Sequence, residues 1–177
     1  MKFKGYRVEI ILLVFVLSLG LVIGVNYFVH QRRVVAPIYD IFQDIPGVSQ
    51  ILLTEQGQEL QVAVTLEEVE KLEQTMDQVI EKAKELGLAE KIIIVDRANQ
   101  KLEAAFYDIH LAIEEAIAIG NFQQMAETID QLIVDSEIVH RIYVSRDYVY
   151  VQLHHQENYL YQVFSRHDGI NVIRQSG

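Results

Sequence analysis

Residues 10–29, IILLVFVLSLGLVIGVNYFV, run for 20 positions without a charged side chain. As a helix rising 1.5 Å per residue, such a run covers about 30 Å, the thickness of the hydrocarbon layer of a bilayer. Tyr6 stands before it and Tyr27 with Phe28 close it, at the depth where interfacial aromatic rings settle. A cleaved secretory signal has a shorter apolar core, about 7–15 residues, and ends in a small-x-small site. This run ends GVNYFVHQRR with no such site, so the sequence predicts an uncleaved, single-pass transmembrane anchor within residues 1–33. Lys2, Lys4 and Arg7 precede the run and Arg32 and Arg33 follow it, a bias that sets the N-terminus in the cytoplasm and the rest of the chain in the extracytoplasmic space. Inside the run, Gly20 and Gly24 stand four apart, a spacing that lets two membrane helices approach closely, and they are the candidate anchor-packing residues.

Beyond the short connector HQRRVVA, the pattern reads as alternating small elements. PIYDIFQDI has helical spacing of Ile38, Ile41, Phe42 and Ile45 and stops at Pro46-Gly47. The stretches QILLT and ELQVAV alternate with period two around EQGQ, which predicts a hairpin with Gly57 in its loop. Thr65 and Glu68 have capping-box spacing and predict a helix opening there, with Leu66, Val69, Leu72, Met76, Val79, Ile80 and Ala83 on its apolar face and Gly87 as its stop. KIIIVD reads as a buried strand. Asn99 and Asn121 start two further helices, and HRIYVS, YVYVQLH and YLYQVFS are strands, with INVIR as a fourth. The expected fold class is therefore α+β: a transmembrane helix, an αββαβ module over 34–98, then two helices and a C-terminal antiparallel sheet of three or four strands over 99–177, the last two regions being separate or continuous.

Shifting the chain by 91 positions lays 38–54 on 129–145 without gaps. Ile38 meets Ile129, Ile51 meets Ile142, Leu53 meets Val144, and each copy then turns into a second alternating strand. Both stretches describe a helix end, a corner, and a strand whose buried parity that corner fixes.

The order of elements in PIYDIF…PGVSQILLT…ELQVAV…TLEEVEKL…KIIIVD, following a membrane helix, resembles the αββαβ ring-building modules of membrane-anchored secretion and sporulation assembly proteins. The resemblance covers residues 37–96. It implies a non-enzymatic scaffold that packs side by side with copies of itself or with relatives.

Charge excludes one class of partner. Between residues 34 and 135 there are 20 acids against 6 bases, whereas 136–177 is balanced at 4 and 4. Nucleic-acid binding requires a basic footprint, so no nucleic acid is expected. No cysteine is present, which removes disulfide and thiol chemistry, and no nucleotide-binding, P-loop or nucleophile-elbow motif occurs. Glu103, Tyr107, His110 and Glu114 fall on one helical stripe, but a single histidine supplies too few ligands, and a solvated polar face is the expectation. His154 and His155 are adjacent in a strand and point to opposite faces, so they do not share a metal. No catalytic residue, cofactor or metal is expected.

On the YVYVQLH strand, Val149, Val151 and Leu153 make one face, and Tyr148, Tyr150, Gln152 and His154 the other. Neighbouring strands add Arg141, Tyr143, Tyr159 and Tyr161 to that second face. Tyrosine and arginine combine contact area with polar tips, so Arg141, Tyr143, Tyr148, Tyr150, His154 and Tyr161 form the candidate partner surface. The functional expectation is a membrane-anchored assembly or adaptor protein that self-associates or meets an envelope protein. The alternative is an extracytoplasmic ligand-binding sensor acting through a partner membrane protein, because only about nine residues precede the anchor.

Overall fold

A computed structural model describes residues 2–3, 6–7, 11–21, 41–56, 59–88, 91–134, 137–167 and 170–176. The chain divides into two compact units, Met1–Ile41 and Phe42–Gly177. In the first, Lys2–Phe3 pairs antiparallel with Tyr6–Arg7, and residues 11–21 are helical. The side chains of that helix are all exposed, its large apolar ones from Leu19 at 50% to Leu21 at 68%. Gly20 has nothing within 4 Å of the place a Cβ would occupy. Among the described residues no helix is long and apolar enough to cross a membrane. The helix at 11–21 holds only part of the uncharged run; positions 22–29, with Gly24, lie outside the described residues, as do 37–40 and Gly57.

The second unit is α+β. Its elements are β1 (Val48–Gln56), β2 (Glu59–Leu66), α1 (Leu72–Glu85), β3 (Lys91–Asp96), α2 (Gln100–Ile119), α3 (Phe122–Leu132), β4 (Val139–Val144), β5 (Tyr148–His155), β6 (Asn158–Ser165) and β7 (Asn171–Ser176). A four-stranded sheet has the order β1-β2-β3-β7, and a three-stranded antiparallel sheet the order β4-β5-β6. β1 and β2 form the expected antiparallel hairpin; β2, β3 and β7 run parallel. INVIR therefore does not extend the C-terminal sheet. It becomes β7, because Val172 falls in register with Ile92 on the buried face while Arg174 reaches the carboxylate of Asp96.

The α1 helix begins at Leu72 rather than at a capping box on Thr65. Thr65 is held in the sheet between Gln50 and Val95, and its carbonyl accepts from Ser49 Oγ at 3.1 Å. The corner at Gly47 is tight: φ is 88°, and a Cβ there would stand 2.2 Å from Val69 Cγ1. Thr75 Oγ1 ties α1 to the same corner by donating to Pro46 O at 3.1 Å. By contrast α2 follows its sequence signals. Asn99 Oδ1 accepts from Leu102 N at 2.9 Å, and Gly120 closes the helix with φ 82°.

The second sheet is covered on both sides. Val149, Val151 and Leu153 of β5, with Leu160 of β6, pack on Leu102, Ile109 and Ile113 of α2 and Met125 and Ile129 of α3. The opposite side faces the segment that leads into α1. The two sheets are joined where β3 ends: Tyr159 N donates to Arg97 O at 3.0 Å and Tyr161 N to Asp96 Oδ2 at 2.8 Å.

The first sheet has one fully buried side and one partly exposed side. Val62, Val64, Ile92 and Ile94 are fully buried. On the other side, Leu52, Ala63, Ile93 and Ile173 lie in direct register across all four strands. One neighbouring row is Gln50, Thr65, Val95 and Gln175, and the other is Thr54, Gln61, Lys91 and Asn171.

Candidate functional site

Residues 67–71 cross between β2 and α1 with no helix or strand of their own, yet Val69 is buried. Buried backbone groups require partners, and here side chains of the second sheet supply them. Gln152 Nε2 donates to Val69 O at 2.7 Å while its Oε1 accepts from Leu72 N at 3.2 Å. Tyr161 Oη accepts from Val69 N at 2.9 Å and donates to Glu67 O at 3.3 Å. Tyr159 Oη donates to Leu66 O at 3.0 Å, and the Tyr150 hydroxyl donates to the Asp77 carboxylate on α1. Tyr148 Oη accepts from Ile170 N at 3.3 Å, ahead of β7. These bonds explain why no side chain caps α1 at Lys71: the second sheet does the work a cap would do.

The sequence expectation of a partner surface is corrected accordingly. Tyr148, Tyr150 and Tyr161 are buried, Tyr150 at 1% and Tyr161 at 0% exposure, and they form an internal polar seam. Burial raises the Tyr161 phenol well above the ordinary tyrosine value. Burial, then the adjacent Asp77 carboxylate, does the same for Tyr150. Arg141 and Tyr143 lie at the exposed edge, and Arg141 Nη1 donates to Glu70 O at 2.6 Å. Alternation within β5 revealed two faces; nothing local to β5 revealed that α1 and its leading segment cover the tyrosine side.

Where the seam opens to solvent there is a groove of about 370 Å³ lined by Glu68, Glu70, Glu137, Arg141, Gln152 and His154 among others. His154 Nδ1 lies 3.3 Å from Glu68 Oε1, and its Nε2 is 2.8 Å from Gln152 Nε2. The Gln152 amide can only donate to that nitrogen, so the neutral ring carries its proton on Nδ1, toward Glu68. Burial lowers the His154 pKa below its ordinary 6.5, with Glu68 acting in the opposite direction. A histidine–carboxylate pair can pass a proton; among the described residues no hydroxyl or thiol side chain lines the groove beside it. Glu68, Glu70, Glu137 and Arg141 present charged groups to the groove, and Gln152 and His154 hydrogen-bonding ones.

The remaining candidates separate. His155 points to the opposite face from His154, with Nδ1 3.0 Å from Asn99 Nδ2 and Nε2 3.4 Å from Glu137 Oε2. It braces the α2 cap. The helical stripe also divides: Tyr107 is exposed at 73%, His110 Nδ1 lies 2.6 Å from Tyr107 O, and Glu103 turns away to bind Arg174. Among the described residues no cluster of three or more His, Cys, Asp or Glu could hold a metal.

The sequence reading missed the most buried ion cluster. Asp96, whose side chain is 0% exposed, receives Arg174 Nε at 2.6 Å and Nη2 at 3.1 Å. Arg174 also donates to Glu103 Oε1 at 2.6 Å and Oε2 at 3.0 Å. Burial opposes the charge on Arg174, but the two carboxylates outweigh it and hold the pKa above the ordinary arginine value. An acid ending one apolar strand and an arginine within another was the available signal.

No family model, no curated protein and no solved structure matches the chain.

Proposed function

We propose that this is a single-pass, membrane-anchored, non-enzymatic assembly or adaptor protein whose extracytoplasmic body self-associates. One observation carries the reading: the 20-residue uncharged run at 10–29, whose described portion, 11–21, is a helix with its apolar side chains exposed. In water that surface is a liability; in lipid it is an anchor. The basic residues Lys2, Lys4 and Arg7 favour a cytoplasmic N-terminus. The scaffold role is supported by how the polar interior is used. Tyr159, Tyr161 and Gln152 engage backbone, Tyr150 donates to the Asp77 carboxylate and Asp96 pairs with Arg174, which suits a rigid frame. The order helix–β1–β2–α1–β3 after an anchor also resembles the ring-building modules of secretion and sporulation assemblies. Nucleic acid is not a partner of so acidic a chain.

The test is membrane extraction with topology. The full-length chain is expected to resist alkaline carbonate, dissolve in detergent, and lose its body to protease added to intact cells. Release by carbonate, or a mature chain starting near His30, would overturn the anchor. Sedimentation in detergent is expected to show oligomers; a monomer at high concentration would overturn self-association.

A sensor is the second reading, favoured by the 370 Å³ groove beside His154. A small molecule retained in native mass spectrometry, and lost in Arg141→Ala, would promote it over the scaffold.

A further inference from the structure

Gln152 is buried, and the two ends of its amide are not interchangeable. Leu72 N–H can only donate, so it meets Oε1 at 3.2 Å; the Val69 carbonyl can only accept, so it meets Nε2 at 2.7 Å. The second hydrogen on Nε2 is left for His154 Nε2, 2.8 Å away, which takes it on a lone pair. A proton arriving on that ring nitrogen sets N–H against N–H. Turning the amide over gives the charged ring an oxygen, but it sets Oε1 against Val69 O and Nε2 against Leu72 N–H. The three bonds therefore hold together only while the ring is neutral. We propose that His154 and Gln152 form a proton-operated catch on the start of α1: protonating the imidazole turns Gln152 towards the ring and lets go of Val69 O and Leu72 N. The inference is independent of the anchor and of self-association.

The ring is the firmer of the two partners. Its Nδ1 stays on Glu68, an ion pair once the ring is charged, and the rings of Tyr159 and Tyr161 stand 6.3 and 5.9 Å from it, centre to centre. A hydrogen bond from a charged donor is also about twice as strong as a neutral one. The start of α1 is the weaker partner, because no side chain caps it at Lys71. Opening stays local. Tyr161 Oη keeps Val69 N, Arg141 Nη1 keeps Glu70 O, and Glu67 N still donates to Gly47 O at 2.9 Å, so residues 67–71 remain tethered while the first turn of α1 frays. The charged and titratable groups around the ring are Glu68 and Glu70 on the leading segment, Glu137 ahead of β4, Arg141 on β4, and Tyr159 and Tyr161 on β6. Burial lowers the ring's pKa below the ordinary 6.5, Glu68 works against that and Arg141 with it. The opened form thus takes the proton more readily than the closed one, and the catch releases as pH falls through and below that value.

Hydrogen exchange of the full-length chain in detergent, corrected for the intrinsic effect of pH on the chemical rate, reads the catch directly. Residues 69–76 are expected to exchange about fivefold faster or more at pH 5 than at pH 7.5, while residues 102–116 of α2 hold their rate. His154→Gln supplies a neutral acceptor at every pH and should abolish the rise. His154→Phe keeps an aromatic ring beside Tyr159 and Tyr161, carries no proton, and should be equally flat. A rise of wild-type size in both variants would assign the effect to another group and overturn the proposal. Acceleration shared equally by α2 would overturn it in favour of general acid unfolding. Exchange at 69–76 that does not change between the two pH values would overturn it too, whether the ring titrates in that range or stays neutral.

Discussion

Gln152 and Tyr161 do for residues 67–71 what a helix or strand does elsewhere, and Arg174 does the same for the charge on Asp96. Removing one member of a buried ion cluster strands the other, which generally costs about 3–5 kcal/mol. Arg174→Ala should lose stability in that range in urea unfolding, while Asp96→Asn combined with Arg174→Met should lose markedly less. His154 makes a pH-dependent contribution. Its folded pKa is lowered by burial, so protons bind the unfolded chain first; the contribution is complete above about 6.5 and declines as pH falls through and below it. Glu68 partly offsets the lowering, while Arg141 reinforces it; Tyr159 and Tyr161 complete the surroundings. Urea midpoints from pH 7.5 to 5 should fall in the wild type, fall less in His154→Gln, and fall more steeply in Glu68→Gln.

At the scale of elements, local chemistry was a good guide where an element is governed locally. The α2 helix starts at Asn99 and stops at Gly120 as its residues dictate, and the β1–β2 hairpin keeps the expected parity, with Ile51 buried and Leu52 out. The 91-residue shift also corresponds to geometry: β1 and β4 are both edge strands entered from a helix end and paired antiparallel with the next strand. What could not be read was decided at a distance. The capping box failed because strand pairing on both sides claimed Thr65, and β7 was misplaced because parallel pairing with β3 joins segments far apart in sequence. Two glycines separate these influences experimentally. Gly120 needs only its left-handed backbone, so Gly120→Ala should cost about 1 kcal/mol. Gly47 has that conformation and also no room beside Val69, so Gly47→Ala should cost clearly more, about 2–4 kcal/mol in urea unfolding.

For the whole molecule, the tyrosine side of the second sheet shows why candidate surfaces are hard to read from sequence. Alternation separates Tyr150 from Val151, but which side meets solvent depends on elements packed from elsewhere. Residues 42–177 behave as one compact unit: β7 belongs to the first sheet, and Tyr159 and Tyr161 stitch β6 to the end of β3. Unfolding of the body is therefore expected as one cooperative transition, with the same midpoint by far-UV circular dichroism and by tyrosine fluorescence. Two separated transitions would mean that 34–98 and 99–177 unfold independently.

Asp96 and Arg174 are 78 positions apart, and β7 follows every strand it must join. At about 5–20 residues per second, a ribosome delivers the arginine some 4–16 s after the aspartate. Throughout that interval the first sheet lacks its fourth strand and Asp96 lacks its arginine. β7 acts as a latch: the first sheet and the Asp96–Arg174 pair close only after this late strand has been made.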